Sequence, residues 1–358
     1  MEKRLYLLAE ELIKLTLGPR VLKTGIAVAL ALYICSLFNL DSAVFAGVAA
    51  IFTIQPSIYR TWKQVWEQIQ TNTLGALIAF AALYFVGNDP FAIGLVMIVV
   101  IMISLKLKMA ETISLTLVTV LAIMSAPGNE DLNFALHRFG IILIGMTSAL
   151  LVNILIAPPK YKKNYLEKVQ GVFQNMSILM RTAISNEMTE KSFHDEMKTL
   201  EKDLLKLEEL YRLFDEEREK MAKINNMDLR EVVVFKQMLK SVQQGFIVLE
   251  SIDDFYFQSK PTADENLLFD QHLEHLIKYH ELFLLKYNRK IKMDTHDEDI
   301  MNRTNLFLEK VIDTYQNNHN QKIHLAVIAS SIYKYAFQID RLNTIVEQYV
   351  KRGSNSKA

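Results

Sequence analysis

The chain has 358 residues, a formal net charge of +0 and a hydrophobic share of 51%. A balanced charge with no basic block leaves no electrostatic footprint for nucleic acid. A single cysteine, Cys35, sits inside an apolar run, which excludes a disulfide framework and a cysteine metal site and reads as packing. The averages conceal a division. Residues 21–157 are almost free of charge, whereas 160–358 are dense in Lys, Glu and Asp, so the length is read as two main domains.

The first stretch mixes Glu2, Lys3, Arg4, Glu10, Glu11 and Lys14 with Leu5, Leu8, Leu12 and Leu15. That mixture predicts an amphipathic helix over 1–19 at a membrane interface rather than a cleaved signal. Six apolar segments follow, over 20–38, 42–57, 69–87, 91–105, 111–126 and 136–157. A hydrocarbon core about 30 Å thick asks for roughly 20 residues per helix, and several segments are near the short limit. Polar breaks at Asn39-Leu40-Asp41, Gly87 to Pro90 and Lys106 to Glu111 separate them. The expectation is an all-α membrane protein with six transmembrane helices over 20–158.

Orientation follows from Lys and Arg. Lys3, Arg4, Lys14, Arg20, Lys23, Arg60, Lys63, Lys106, Lys108, Lys160, Lys162 and Lys163 flank one side, and Arg138 alone flanks the other. Both termini are therefore expected in the cytoplasm. Gln68 precedes Gly75 by seven residues, and Arg138 precedes Gly145 by seven. Gly75 with Ala79 and Gly145 with Ala149 have the small-xxx-small spacing that lets helix backbones approach. Pro56 and Pro127 lie 19 and 18 residues before these glycines. With three spans per half, such a repeat would be a 3+3 inverted one, and chance recurrence of Gly and Ala is the alternative.

Polar groups at membrane depth are expensive and call for a reason. Gln64, Gln68 and Asn72 fall at i, i+4 and i+8, with Gly75 continuing the face. The stripe either lines a substrate path or belongs to an interfacial helix with its amides in water. Lys23 either meets an anion or snorkels to the headgroups. His137 and Arg138 open the sixth segment and either contact an anionic substrate, carry a proton or anchor the helix. Tyr59, Trp62 and Trp66 read as an interfacial aromatic belt.

The runs VFAGVAAIFTIQPSIYR from Val44 and QTNTLGA from Gln70, with LKTGIAVALALY from Leu22 and IILIGMTSALLVNILIAPP from Ile141, carry a likeness. The chain resembles the aromatic acid exporter family of fusaric-acid-resistance-like membrane proteins, in its compact bacterial form with six spans and a helical cytoplasmic tail. The resemblance implies an inner-membrane efflux component for small aromatic carboxylates with no nucleotide-binding module. Longer relatives carry two such membrane halves, so a single half implies a homodimer or larger homo-oligomer. Relatives often have Arg and Gly-Thr before the glycine of the third span. Here Arg138 fits the second copy, whereas the first has Gln68, Thr71 and Asn72.

Pro158-Pro159 closes the sixth span, and a helical bundle is expected over 159–350. Five helices show three/four apolar spacing: one through Leu166, Val169, Phe173, Met176 and Met180; another through Leu200, Leu204, Leu207, Tyr211 and Phe214. A third uses Phe235, Leu239, Val242, Phe246 and Leu249, and a fourth Leu273, Leu276, His280, Phe283 and Tyr287. The last runs from Leu325 to Tyr349. Narrow seams with charged outer faces predict an antiparallel bundle, with a disordered tail over 351–358. His272, His275 and His280 could hold a metal but read better as a mixed surface with one core histidine. Asp294, Asp297, Glu298 and Asp299 read as an acidic loop capping a helix.

No phosphate loop, nucleophile elbow or HExxH motif occurs in the sequence. No catalytic residue, metal or cofactor is therefore expected. The functional expectation is ion-gradient-driven efflux of small aromatic acids across the bacterial inner membrane. Lys23, Gln68, Asn72, His137 and Arg138 would line the path; Gly75, Ala79, Gly145 and Ala149 would pack helices. The alternative is a non-transporting sensor or scaffold whose bundle binds a ligand or partner.

Overall fold

The computed structural model describes residues 19–125, 132–156, 161–185, 188–221, 229–259, 261–291, 299–317 and 323–355. The predicted amphipathic helix over 1–19, Pro127 and the acids Asp294, Asp297 and Glu298 lie outside them, Pro19 apart. Among the described residues the protein is all-helical, with twelve α-helices, one short 3-10 turn and no strand. It divides into two compact units, Met1–Pro159 and Lys160–Ala358.

The first unit contains α1 (Pro19–Leu37), α2 (Val44–Thr53), α3 (Ile58–Phe85), α4 (Pro90–Lys106), a 3-10 turn at Ala110–Thr112, α5 (Ile113–Met124) and α6 (Leu132–Leu155). The polar breaks fold as turn chemistry requires. Asn39 and Ser42 take φ of 48° and 63°, and Gly87 takes 92°, a region open to Gly and Asn but strained for most side chains. Asp89 Oδ1 caps α4, accepting from Phe91 N at 2.9 Å and Ala92 N at 3.2 Å, and Pro90 supplies the fixed φ of a first helical residue.

Two boundaries differ from the sequence reading. α2 is only ten residues long, because the chain turns extended at Ile54, before Pro56. α3 is one 28-residue helix, in which the amphipathic turn and the apolar segment from 69 are continuous. Ser57 caps it, accepting from Arg60 N at 2.9 Å, and no Gly or Pro interrupts it before Gly75. Trp62 and Trp66 are exposed on its outer face, while Gln64, Gln68 and Asn72 are buried. Arg20–Leu37 and Leu136–Leu155 are long and apolar enough to cross a membrane; α2, α4 and Ala110–Met124 are apolar but shorter.

In the first unit, close helix approach is concentrated at two glycines. A Cβ on Gly145 would strike the Ala46 carbonyl of α2, and one on Gly75 would lie 2.7 Å from Thr116 Cγ2 of α5. Ala79 and Ala149 follow one turn later, fully buried. Both members of the second contact lie 70 positions from their counterparts, Gly75 to Gly145 and Ala46 to Thr116. The α3–α5 contact and the α6–α2 contact are thus made in the same repeat register.

The second unit contains α7 (Tyr161–Ile184), α8 (Glu190–Met221), α9 (Leu229–Ser259), α10 (Ala263–Tyr287), α11 (Ile300–Asn317) and α12 (Ile323–Asn355). The apolar residues of the five predicted seams all enter one core or pack against it. A sixth helix, α11, falls between the fourth and the last. Its buried stripe is Ile300, Thr304, Phe307 and Val311, a helical repeat that the sequence hides because Thr304 stands where an apolar residue would mark the turn. Asp299 starts it, accepting from Asn302 N at 3.0 Å. At the end of the chain, α12 continues past Gly353 to Asn355, where a disordered tail was expected. Pairs such as Ser177–His280 and Arg181–Glu274 run α7 against α10, and Gln237–Gln338 with Glu231–Tyr349 runs α9 against α12. Both pairings are antiparallel.

His280, Ser177 and Tyr335 form a hydrogen-bonded chain in this core. Ser177 Oγ donates to the Phe173 carbonyl at 2.9 Å, which spends its single hydrogen. His280 Nε2 therefore donates to Ser177 Oγ at 2.6 Å, and Nδ1 accepts from the Tyr335 hydroxyl. Every group is satisfied only with a neutral imidazole. Burial, reinforced by Arg181, accordingly pulls the histidine down to about 3. With Ser177 and His280 enclosed, this pair is a structural element and not a nucleophile.

Two measurements check these points. Gly145→Ala should destabilise the detergent-solubilised protein by about 1–3 kcal/mol, whereas Gly140→Ala, with nothing within 4 Å of an added Cβ, should be neutral or slightly stabilising. Below pH 6.5 the unfolded chain protonates His280 but the folded one does not until about pH 3. The stability that His280 contributes above pH 6.5 is therefore lost as pH falls, by up to about tenfold in the folding constant per unit. Melting curves of His280→Gln should show a shallower decline between pH 6.5 and 4.5 than the parent.

Candidate functional site

Polar side chains inside the apolar first unit gather in two places. One is the link between α2 and α3. Ser57 is extended, so the carbonyls before it are not taken up by a helix. Asn153 of α6 supplies the partner: its Nδ2 donates to Thr61 Oγ1 at 2.7 Å and lies 3.3 Å from the Gln55 and Ser57 carbonyls. Thr61 accepts from Gln55 N at 3.2 Å and donates to Ser57 O at 2.9 Å. Lys23 of α1, 6% exposed, donates from Nζ to Asn153 Oδ1 at 2.7 Å. A buried ammonium is thus held by a neutral amide oxygen.

The second place is the inner face of α3. Gln68 and Asn72 are one turn apart and both fully buried. Thr53 of α2 donates to Gln68 Oε1 at 3.1 Å, and Thr119 of α5 donates to Asn72 Oδ1 at 3.2 Å. Each threonine has a single hydrogen, which it shares between that amide oxygen and a carbonyl of its own helix, Ala49 O at 2.7 Å and Leu115 O at 3.1 Å. The other ends of both amides, Gln68 Nε2 and Asn72 Nδ2, are buried with no hydrogen-bond partner. A turn earlier, Gln64 Nε2 donates to the Glu111 carbonyl at 3.3 Å. The result is a pair of N–H2 groups, stacked on one helix face and buttressed by hydroxyls, with unmet hydrogen-bonding capacity.

The remaining expected residues lie elsewhere. Arg138 is buried with its guanidinium carbon 3.3 Å from the Phe45 ring centroid, a cation–π contact at the opposite end of α2 from Thr53. His137 is exposed. Of the five path residues, Gln68 and Asn72 share a face, while Lys23, Arg138 and His137 occupy separate positions. Sequence reasoning missed Asn153, Thr53, Thr61 and Thr119. Asn153 stands in the apolar run LLVNIL and was the available signal. The threonines gave none, since most threonines in apolar helices bond only to their own backbone.

An all-helical protein that buries a lysine and amides inside otherwise apolar helices has the make-up of a membrane transport protein. The comparisons agree: residues 15–156 match the family model described as aromatic acid exporter family member 1. The chain is 32% identical over 346 residues to the UPF0421 protein YgaE of Bacillus subtilis, covering 93% of this chain and 96% of that relative. It is 24% identical over 345 residues to a UPF0421 protein of Bacillus cereus, and 34% identical over 164 residues to one of Halalkalibacterium halodurans, about 45% of each chain. The chain belongs to the aromatic acid exporter family. Membership points to a membrane exporter of aromatic acids, and the relatives' names specify no substrate.

The Lys23–Asn153 contact yields a prediction by double-mutant cycle. Asn153→Leu alone should be destabilising, by roughly 1.5–3 kcal/mol, because it removes the acceptor of the buried Lys23 ammonium. Lys23→Met combined with Asn153→Leu should recover part of that loss. Thermal unfolding in detergent of the two singles and the double measures the coupling.

Proposed function

We propose that the protein is a multi-pass exporter of small aromatic carboxylic acids, driven by an ion gradient. Its membrane unit crosses the bilayer six times with both termini in the cytoplasm. The half-satisfied amides of Gln68 and Asn72 carry this reading. A buried N–H2 group without an acceptor costs about 1–3 kcal/mol, and a carboxylate oxygen offers the missing acceptor. While each threonine shares its one hydrogen between its own helix carbonyl and the amide oxygen, the N–H2 ends have no partner and can take the anion, and the apolar residues around them suit an aromatic ring. Orientation is supported by the twelve-to-one distribution of bases. Alternating access by an inverted repeat is supported by the shared register of the Gly75 and Gly145 contacts. A single membrane unit per chain favours a homodimer or larger assembly.

Lys23 and Arg138 take supporting places in this scheme, one near each end of α2, as cationic steps on the way to and from the amide pair. His137, on the outer side, is exposed and serves entry or release rather than binding.

The test is flux of labelled 4-hydroxybenzoate in proteoliposomes with and without an imposed pH gradient. Gradient-dependent flux should appear in the parent and fall at least tenfold in Gln68→Leu and Asn72→Leu, with reconstituted protein unchanged. Absence of flux for a panel of aromatic acids, from protein shown to be folded, overturns the reading.

A further inference from the structure

The bundle carries its charge unevenly over its surface. α9 and α12 run antiparallel, and Gln237 Nε2 fixes their seam by donating to the Gln338 carbonyl and Oε1 at 3.1 and 2.8 Å. Ser241 Oγ lies 3.1 Å from the same carbonyl. On one side of this seam is the core, where a Cβ on Gly245 would meet Met176 of α7 and Tyr335 of α12. The other side is open. There α9 exposes Val233, Lys236 and Lys240, and α12 exposes Lys334, Phe337 and Arg341. These positions recur every three or four residues, so each helix presents them as one row, and the two rows lie side by side along the seam.

The acids of both helices are turned elsewhere. Glu231 accepts from the Tyr287 and Tyr349 hydroxyls and pairs with Lys162. Glu347 pairs with the buried Lys286 of α10 at 2.9 Å. Burial, with repulsion from Asp299 and Glu347, pushes the Asp340 carboxyl up, which puts it on the α11 side of α12. Further along α9, Glu250 is set against Asp254 and Glu201 of α8. Lys168 and Arg181 of α7 have carboxylate partners. Lys236, Lys240, Lys334 and Arg341 form no ion pair among the described residues.

Four unpaired cations stand beside apolar side chains that are about half exposed, Phe337 at 48% and Val233 at 54%. Each row runs for about 10 Å along its helix, which suits a flat anionic surface better than a single small anion. A two-fold contact between copies through this face would set the same cations against themselves.

We propose that the α9–α12 face lies on anionic phospholipid headgroups, with the four cations at the phosphates and Phe337 and Val233 at the acyl boundary. The inference rests on the reading of the first unit as a membrane domain, which tethers the bundle at a bilayer. Each Lys or Arg near an anionic lipid surface strengthens attachment by roughly fivefold, and tethering raises the effective concentration of that surface. Bases interleaved with aromatic and aliphatic side chains are the make-up of faces that lie in the headgroup layer. Lipid charge would then set how firmly the bundle is held to the membrane.

The test uses the full chain in nanodiscs, with Cys35→Ala and a bimane label on Ser330→Cys, an exposed position one turn before Lys334. Quenching by a phosphatidylcholine with a nitroxide headgroup reports contact between this face and the bilayer. It should rise at least twofold when about a third of the lipid is phosphatidylglycerol, and fall back in high salt. Lys334→Gln with Arg341→Gln should abolish the rise. Lys191→Gln with Lys202→Gln, which remove two exposed bases of α8, should leave it intact. Inorganic phosphate at constant ionic strength should not displace the face. Quenching equal in both lipids, indifference to the α12 pair, equal loss with the α8 pair, or a Ser330→Cys disulfide dimer that excludes the quencher would each overturn the proposal. Retention in alkaline-washed membranes checks the membrane reading separately. Retained protein whose quenching ignores lipid charge sinks this surface alone, whereas protein released by the wash sinks the reading beneath it as well.

Discussion

Asn153 donates to Thr61 and toward the Gln55 and Ser57 carbonyls while accepting from Lys23, so one side chain ties α1 and α6 to the α2–α3 link. Lys23 and Asn153 are buried, so loss of the amide would leave the Lys23 ammonium and the Gln55 carbonyl without this partner, a cost of about 1–3 kcal/mol for each group left unmet. The interruption after α2 is therefore affordable only because α6 brings an amide to it. The position of α3, and with it the face that carries Gln68 and Asn72, depends on that contact.

Around this fixed point the helices meet through small residues. Gly145 against Ala46 and Gly75 against Thr116 set α6 on α2 and α5 on α3 at backbone distance, where dispersion contacts supply the attraction that apolar surroundings cannot. The second contact is not a copy of the first in chemistry. Where Ala49 faces Gly145, its counterpart in the repeat register, Thr119, reaches Asn72. One half of the unit is thus packed by alanine and the other is bonded by threonine. That asymmetry is what concentrates the polar groups on α3.

The apolar helices and the five bundle seams were legible because burial imposes a period of three to four on the sequence, and residues such as Phe173, Leu204 and Ile332 kept it. Turn chemistry was equally plain at Gly87–Pro90. The continuity of α3 was not, because a charged amphipathic start and an apolar end look like two elements until Ser57 is seen to cap a single one. α11 escaped because Thr304 breaks its stripe. Of the site, the amide face was readable from the spacing of Gln64, Gln68 and Asn72. The partners were not: Thr53, Thr119 and Asn153 come from three other helices, and nothing in local spacing reports a contact made across 15 to 98 positions.

The shortness of α2 has a consequence for how such a unit would fit a bilayer. Ten helical residues rise about 15 Å, half the hydrocarbon thickness of about 30 Å. The link over 54–57, extended at Ile54 and Ser57 but bending at 56 and 57, adds at most about 3.3 Å per residue, so residues 44–57 stay short of the distance that a helix covers with roughly 20 residues. What reach the link adds comes from conformation instead of chain length. A residue passing between helix and link changes that reach by about 2 Å. Any mismatch with the surrounding lipid would accordingly be absorbed first at Gln55 and Pro56, next to the Gln55 carbonyl that Asn153 Nδ2 contacts.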